Sequence, residues 1–206
     1  MSDGTVFVID DDASVRRALG RLLRSAGLTV RALPSAEEFL ADPPDDGPSC
    51  LVLDVSMPGI GGLDLQQRLR AVGRDRAIVF LTGHGSVPKG VCAMKAGAVD
   101  FLQKPFDAPV LLDAVRRALE RDRVERAARE RHDRIRERFE LLTPREREVL
   151  ALVVTGLPNK LVADRLGTSE KTIKVHRGRV MAKMRAQSLA HLVRLADRVG
   201  IRGTDV

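Results

Sequence analysis

The chain has 206 residues, a formal net charge of +7 and only 3% aromatic residues, with no Trp or Tyr. That length accommodates two modest domains with separate cores, while no segment approaches the ~20 apolar residues that span a bilayer and Met1-Ser2-Asp3-Gly4 lacks the pattern of a secretory signal, so the expectation is a cytoplasmic protein without a membrane partner. Residues 1–120 carry 14 Lys and Arg against 16 Asp and Glu, net −2, and residues 121–206 carry 21 against 12, net +9, together the +7 of the chain; a basic rear half of this kind suits a polyanion, nucleic acid first.

In chain order, apolar strands are predicted at residues 5–9, 28–32, 49–54, 77–82 and 98–102, separated by helical patterns such as Val15, Ala18, Leu19, Leu22 and Leu23. Alternating strands and helices make parallel βαβ units whose right-handed crossovers put helices on both faces of the sheet. The front half is therefore a doubly wound α/β domain. Its strands end in polar residues: Asp10 and Asp11 after Val6-Phe7-Val8-Ile9, Asp54 after Leu51-Val52-Leu53, Thr82 after Ile78-Val79-Phe80-Leu81, and Lys104 after the strand ending near Leu102. Turn residues mark loops at Asp42 to Pro48 and at Met57 to Gly62. Cys50 opens a strand and Cys92 lies in a helical stretch, neither with metal-ligand spacing, and both are expected to be small core residues in a reducing compartment.

One long helix is predicted over residues 107–140, its second half, Arg121 to Glu140, a charged and solvated bridge rather than a coiled coil. Thr143-Pro144-Arg145-Glu146 then spells a capping box with proline at the first helical position. Short helices follow at about 144–155, 159–166, 169–184 and 188–198, with no strand pattern.

Taken singly, each polar strand end has an ordinary explanation: Asp10, Asp11 or Asp12 can cap a helix, Asp54 can make an Asx turn and Lys104 can be solvated. Taken together they meet, because ligands of an open parallel sheet bind outside the carboxyl ends of its strands. Three carboxylates in one crevice call for a hard cation with oxygen ligands, and Mg²⁺ is the expected occupant. With Mg²⁺ and Lys104 neutralising it, Asp54 can attack a phosphoryl group, and Thr82 offers a hydroxyl to the transferred oxygens.

In the helix 169–184, a step of about 100° per residue gathers Ile173, Val180 and Met184 on one side and turns Lys171, Lys174, Val175, Gly178 and Ala182 outward. Small and basic residues suit a helix that enters the ~12 Å major groove, with Val175 available to a thymine methyl. Gly178 is either a site of close approach to a base pair or a tolerated defect. Lys160, Thr172, Arg177, Arg179 and Lys183 surround the stripe, placed for phosphates, with Arg177 close to the core side. Scarce aromatics favour duplex DNA over single strands.

Val8-Ile9-Asp10-Asp11-Asp12, Asp54-Val55-Ser56-Met57-Pro58-Gly59, Thr82-Gly83-His84-Gly85 and Lys104-Pro105-Phe106 resemble the receiver domain of two-component response regulators. Leu142 through Met184 resembles the LuxR-type helix-turn-helix, and together the two halves look like the FixJ type of regulator. The resemblance implies a flavodoxin-like five-stranded receiver of order 2-1-3-4-5 at residues 1–120, a helical linker at 121–140 and a four-helix DNA-binding domain at 141–206. It implies phosphorylation of Asp54 by a sensor histidine kinase, with Mg²⁺ on Asp11, Asp54 and the main-chain carbonyl of Ser56 and Asp10 acting through water. It also implies that Thr82 and Phe101 shift together, that Lys104-Pro105 is cis, that residues 86–102 form a homodimer surface, and that promoter DNA is the target, with RNA polymerase a candidate further partner. Ser56 stands where a longer polar side chain is common and His84 stands two residues after Thr82, positions that border the path of the hydrolytic water. The rival readings are a DNA-binding protein with an inert receiver as scaffold and a haloacid-dehalogenase-type phosphatase. The phosphatase needs a second Asp two residues after the nucleophile, where this chain has Ser56.

Overall fold

The computed structural model describes residues 4–42, 47–83 and 87–201, without the side chain of residue 87. It divides into two compact units, Met1–Arg126 and Ala127–Val206.

The first unit alternates β1 (Thr5–Ile9), α1 (Ala13–Ser25), β2 (Thr29–Leu33), α2 (Ala36–Ala41), β3 (Ser49–Asp54), α3 (Gly62–Ala71), β4 (Ala77–Thr82), α4 (Val87–Lys95) and β5 (Asp100–Gln103), and then enters α5 (Ala108–Glu140). All neighbouring strands are parallel and the order is β2-β1-β3-β4-β5. Every residue of β3 and β4 is buried, as expected of central strands covered on both faces. The period of two sorts their side chains. Val6, Val8, Val52, Val79 and Leu81 pack with Leu19 and Leu23 of α1 and Leu111 and Val115 of α5. Phe7, Ile9, Leu51, Leu53, Ile78 and Phe80 pack with Phe39 of α2, Leu65 and Leu69 of α3 and Ala93 of α4.

Asp12 caps α1, its carboxylate accepting the N–H groups of Ser14 at 2.7 Å and Val15 at 3.4 Å. That assignment releases Asp10 and Asp11 from the capping role. Strands β2 and β5 begin one and two residues later than predicted, for one reason. The N–H of Leu28 is used to close α1 on Leu23 O, and that of Ala98 to close α4 on Ala93 O. Cys50 is buried, and desolvation first, then the charge of Asp122, push its thiol up. Cys92 is exposed on α4, contrary to the expectation of a core residue, because α4 turns Ala93 toward the sheet instead.

The long helix is not a solvated bridge throughout. Asp122 is fully buried and accepts the N–H of Ser49 at 2.8 Å, while Arg121 donates to Gly97 O at 2.9 Å. Residues 127–134 are exposed, as the charge pattern predicts. Ile135 is 5% exposed and, with Phe139, joins the core of the second unit.

That second unit contains α6 (Pro144–Val153), α7 (Asn159–Arg165), α8 (Glu170–Met184) and α9 (Leu189–Arg198). The predicted capping box is formed: Glu146 N–H donates to Thr143 Oγ1 at 3.3 Å and Thr143 N–H to Glu146 Oε2 at 2.9 Å. Val149, Leu150 and Val153 of α6, Val162 of α7, Ile173, Val180 and Met184 of α8, and Leu192 and Leu195 of α9 make one core. Because Ile135 belongs to it, a fragment starting at residue 141 is expected to be about 2–5 kcal/mol less stable than one starting at 127, the usual cost of deleting a large buried side chain. Urea unfolding of the two fragments checks this, and Ile135→Ala in the longer fragment should reproduce most of the difference.

Candidate functional site

The carboxyl ends of β1, β3, β4 and β5 deliver Asp10, Asp54, Thr82 and Lys104 to one edge of the sheet. Asp10, Asp54 and Thr82 are buried, at 2%, 6% and 3% exposure. The Lys104 ammonium donates to Asp10 Oδ2 and to Asp54 Oδ1, both at 2.7 Å. The remaining oxygens are also engaged: Asp54 Oδ2 accepts Ser56 N–H at 2.7 Å and Asp10 Oδ1 accepts Asp12 N–H at 2.9 Å. Lys104 N–H donates to Thr82 O at 2.7 Å, and the Lys104–Pro105 peptide is cis, as the resemblance implied. Burial works against the charge on Lys104, but its bonds to Asp10 and Asp54 outweigh that and hold its pKa above the ordinary value.

The expected three-carboxylate cluster is not formed. Among the described residues no three His, Cys, Asp or Glu side chains gather as a metal site would require, and Asp11 is exposed. Instead Lys104 bridges the two buried carboxylates. The donor set still fits Mg²⁺: it is all hard oxygen, and the pair Asp10 and Asp54 carries one negative charge more than Lys104 neutralises, with Asp11 and Ser56 exposed next to them in the chain.

Phe101 is half-buried, its ring centroid 6.2 Å from that of Phe80 and its edge facing Gly90 of α4, where a Cβ would lie 3.3 Å away. His84 and Ser86 lie outside the described residues. Two side chains near the site escaped the sequence reading. Arg16 of α1 donates to Asp10 O at 2.6 Å, and Glu37 of α2 accepts the N–H of Ile60 at 3.0 Å. An acidic residue in the first turn of a helix is already accounted for by the helix dipole, and so gives no sign of a partner 23 residues away.

On α8, Lys171, Lys174, Val175, Gly178, Arg179 and Ala182 are exposed, and so is Lys160 on α7. A Cβ on Gly178 would meet nothing within 4 Å, so packing inside the protein does not demand glycine there. Thr172 pairs its hydroxyl with Ser169 at 2.8 Å within the cap of α8. Arg177 donates to Asn159 Oδ1 at 3.0 Å, and Lys183 donates to the buried Glu146 at 2.6 Å and to Leu141 O at 3.1 Å. Both were expected to be available to phosphates, and both, half-buried, also tie α8 to its neighbours. The signal was in the helical step, which puts them about 60° either side of Val180. His176 is half-buried, with Nδ1 enclosed by protein.

The chain thus joins a parallel sheet of order β2-β1-β3-β4-β5 with this Asp, Asp, Thr, Lys edge to a helical unit whose α8 exposes basic residues. The chain belongs to the response regulator family: residues 6–116 match the response regulator receiver domain and residues 140–196 match the bacterial regulatory proteins of the luxR family. It is 53% identical over 196 residues to nodulation protein W of Bradyrhizobium diazoefficiens, covering 95% of this chain and 86% of that one. It is 45% identical over 196 residues to transcriptional regulatory protein FixJ of Rhizobium meliloti, covering 95% and 96%. The solved structure of response regulator StyR, 47% identical, aligns with a TM-score of 0.86 over 95% of this chain and 98% of that one. This chain is accordingly a DNA-binding transcriptional regulator with a sensor kinase as partner. Among the described residues no helix is long and apolar enough to cross a membrane.

Burial raises the pKa of Glu146, but the bonds from Lys183 and from Thr143 N–H prevail and hold it below its ordinary 4.5. A depressed carboxyl stabilises the folded state above its unfolded pKa, and that contribution is lost as pH falls through the folded value. The stability of the second unit should therefore fall below about pH 4.5 in the wild type. Glu146→Gln should melt lower at pH 7, where it strips Lys183 of its counter-charge, and show a smaller further loss on acidification, as thermal scans by circular dichroism at both pH values would show.

Proposed function

We propose that Asp54 accepts a phosphoryl group from a histidine of the sensor kinase, and that this modification governs DNA binding by α8. The observation that carries the reading is the Lys104 ammonium shared between buried Asp10 and buried Asp54. An Asp54 carboxylate oxygen forms the new bond to phosphorus as the bond from the donor nitrogen to phosphorus breaks. Lys104 offsets the negative charge that would repel an incoming phosphoryl group, and the Thr82 hydroxyl donates to one of its oxygens. Asp11, Asp54 and the main-chain carbonyl of Ser56 would hold Mg²⁺, with Asp10 acting through water. The ion's chemistry there is to stabilise charge on the phosphoryl oxygens in transfer.

On this reading residues 1–120 are the receiver, 121–140 the linker and 141–206 the DNA-binding domain, in the cytoplasm. Phosphorylation draws Thr82 toward the phosphoryl group and Phe101 inward, and favours a homodimer through residues 86–102. Val91 and Met94, each 46% exposed on α4, support that surface. A two-fold dimer then matches promoter half-sites about one helical turn apart, with RNA polymerase as the further partner. Lys171, Lys174, Val175 and Gly178 face the groove, and Lys160, Thr172 and Arg179 its backbone. Arg177 and Lys183 act as framework.

Treatment with a small acyl phosphate and Mg²⁺ should label wild type at Asp54 and shift it to dimer in light scattering, while Asp54→Ala takes no label and stays monomeric. A labelled Asp54→Ala protein contradicts the proposal. For DNA, Lys174→Ala should weaken binding to its site and, if it meets a phosphate, lower the salt slope by about one. Lys183→Ala should chiefly lower the melting temperature. Fluorescence anisotropy across a salt series, beside thermal scans, separates the two.

A further inference from the structure

We infer that Glu37, on a different βα unit from the phosphoacceptor, is a positioning residue for the loop at residues 55–61 that follows Asp54. The inference rests on the reading of Asp54 as phosphoacceptor and adds a residue that sets the geometry around it.

The loop is fixed to the sheet at its inner end. Val55 N–H donates to Leu81 O at 2.9 Å, Gly62 N–H donates to Val55 O at 3.1 Å, and Ser56 N–H holds Asp54 Oδ2 at 2.7 Å. Over Met57-Pro58-Gly59-Ile60, Met57 is buried in the core and Ile60 packs partly against it, and there the carboxylate of Glu37 takes the N–H of Ile60 at 3.0 Å. Gly59 makes room for that carboxylate. Its φ is +72°, a conformation that L side chains rarely adopt, and a Cβ there would stand 2.6 Å from Glu37 Oε1. The backbone N–H groups of Glu37 itself and of Ile60 keep the carboxyl below its ordinary 4.5, so it is an acceptor at neutral pH. Glu37 is exposed, and its carboxylate is nonetheless held by a main-chain partner 23 residues away. One end of the loop is bonded to the strands and the other to α2, so the Glu37 bond adds a second restraint on the segment that carries Ser56. That restraint favours the Ser56 N–H on the Asp54 carboxylate, and its carbonyl where the proposed metal needs it.

The test uses the full-length protein with Glu37→Ala, Glu37→Gln and Gly59→Ala. Three quantities are followed: hydrogen exchange of the Ile60 amide, Mg²⁺ affinity by calorimetry, and the rate of labelling by acetyl phosphate. Glu37→Ala should speed Ile60 exchange and lower both Mg²⁺ affinity and labelling rate by about tenfold, the order seen when a group orienting a ligand is removed, with little change in melting temperature. Glu37→Gln, which keeps a carbonyl acceptor, should recover most of the loss. Gly59→Ala should match Glu37→Ala, and the double variant should be no worse than either alone. Faster Ile60 exchange with wild-type Mg²⁺ affinity and labelling would overturn the inference while leaving Asp54 as acceptor. Absence of label on wild type would overturn the reading of Asp54, and this inference with it.

Discussion

One ammonium group, that of Lys104, stands 2.7 Å from the carboxylates of both Asp10 and Asp54, and the front half of the molecule is organised to hold it there. Two nearly buried carboxylates repel each other and each loses hydration, a combination that is unfavourable unless opposite charge and N–H donors replace the water. Lys104 supplies the charge, and the amides of Ser56 and Asp12 supply the remaining donors. Each amide lies two residues after the carboxylate it serves, but Asp10, Asp54 and Lys104 are far apart in the chain. The parallel sheet brings them together, and its two apolar layers supply the burial energy that offsets the cost of the charges.

The same device recurs in the second unit with a different outcome. Glu146 is 2% exposed and bound by Lys183 and by the cap of α6. There the carboxylate fixes α8 against α6, while Arg177 and Asn159 fix it against α7. Two of the basic residues of α8 are thereby spent on framework, leaving Lys171, Lys174 and Arg179 beside the bare surface of Gly178 as the outward set. These polar bonds on the flanks of its apolar stripe hold α8 to its neighbours and leave its opposite side exposed.

The long helix α5 shows how an average over charged residues conceals individual roles. Its charge pattern made the segment from 121 to 140 look uniformly solvated, and for residues 127–134 it is. At one end Asp122 reaches the start of β3, and at the other Ile135 joins the core of the second unit. A single buried Asp or Ile among arginines and glutamates does not alter a hydrophobic period. Only the surface it packs against reveals it.

What the sequence by itself determined was everything with a local or periodic cause: the strands and helices, the turn residues, the Thr143 capping box, and the polar residues at the strand ends, which a parallel sheet must carry to one edge. It also determined the outward stripe of α8, since a helical step of about 100° requires nothing from the rest of the chain. The tertiary structure alone decided which charges meet. It left Asp11 exposed while Lys104 bridged Asp10 and Asp54, turned Lys183 from phosphate to Glu146, sent Cys92 to the surface, and seated Glu37 over Gly59. Those outcomes depend on distances between residues far apart in the chain, and a side chain's partner is chosen by which group stands within about 3 Å after packing, a quantity no spacing along the sequence contains.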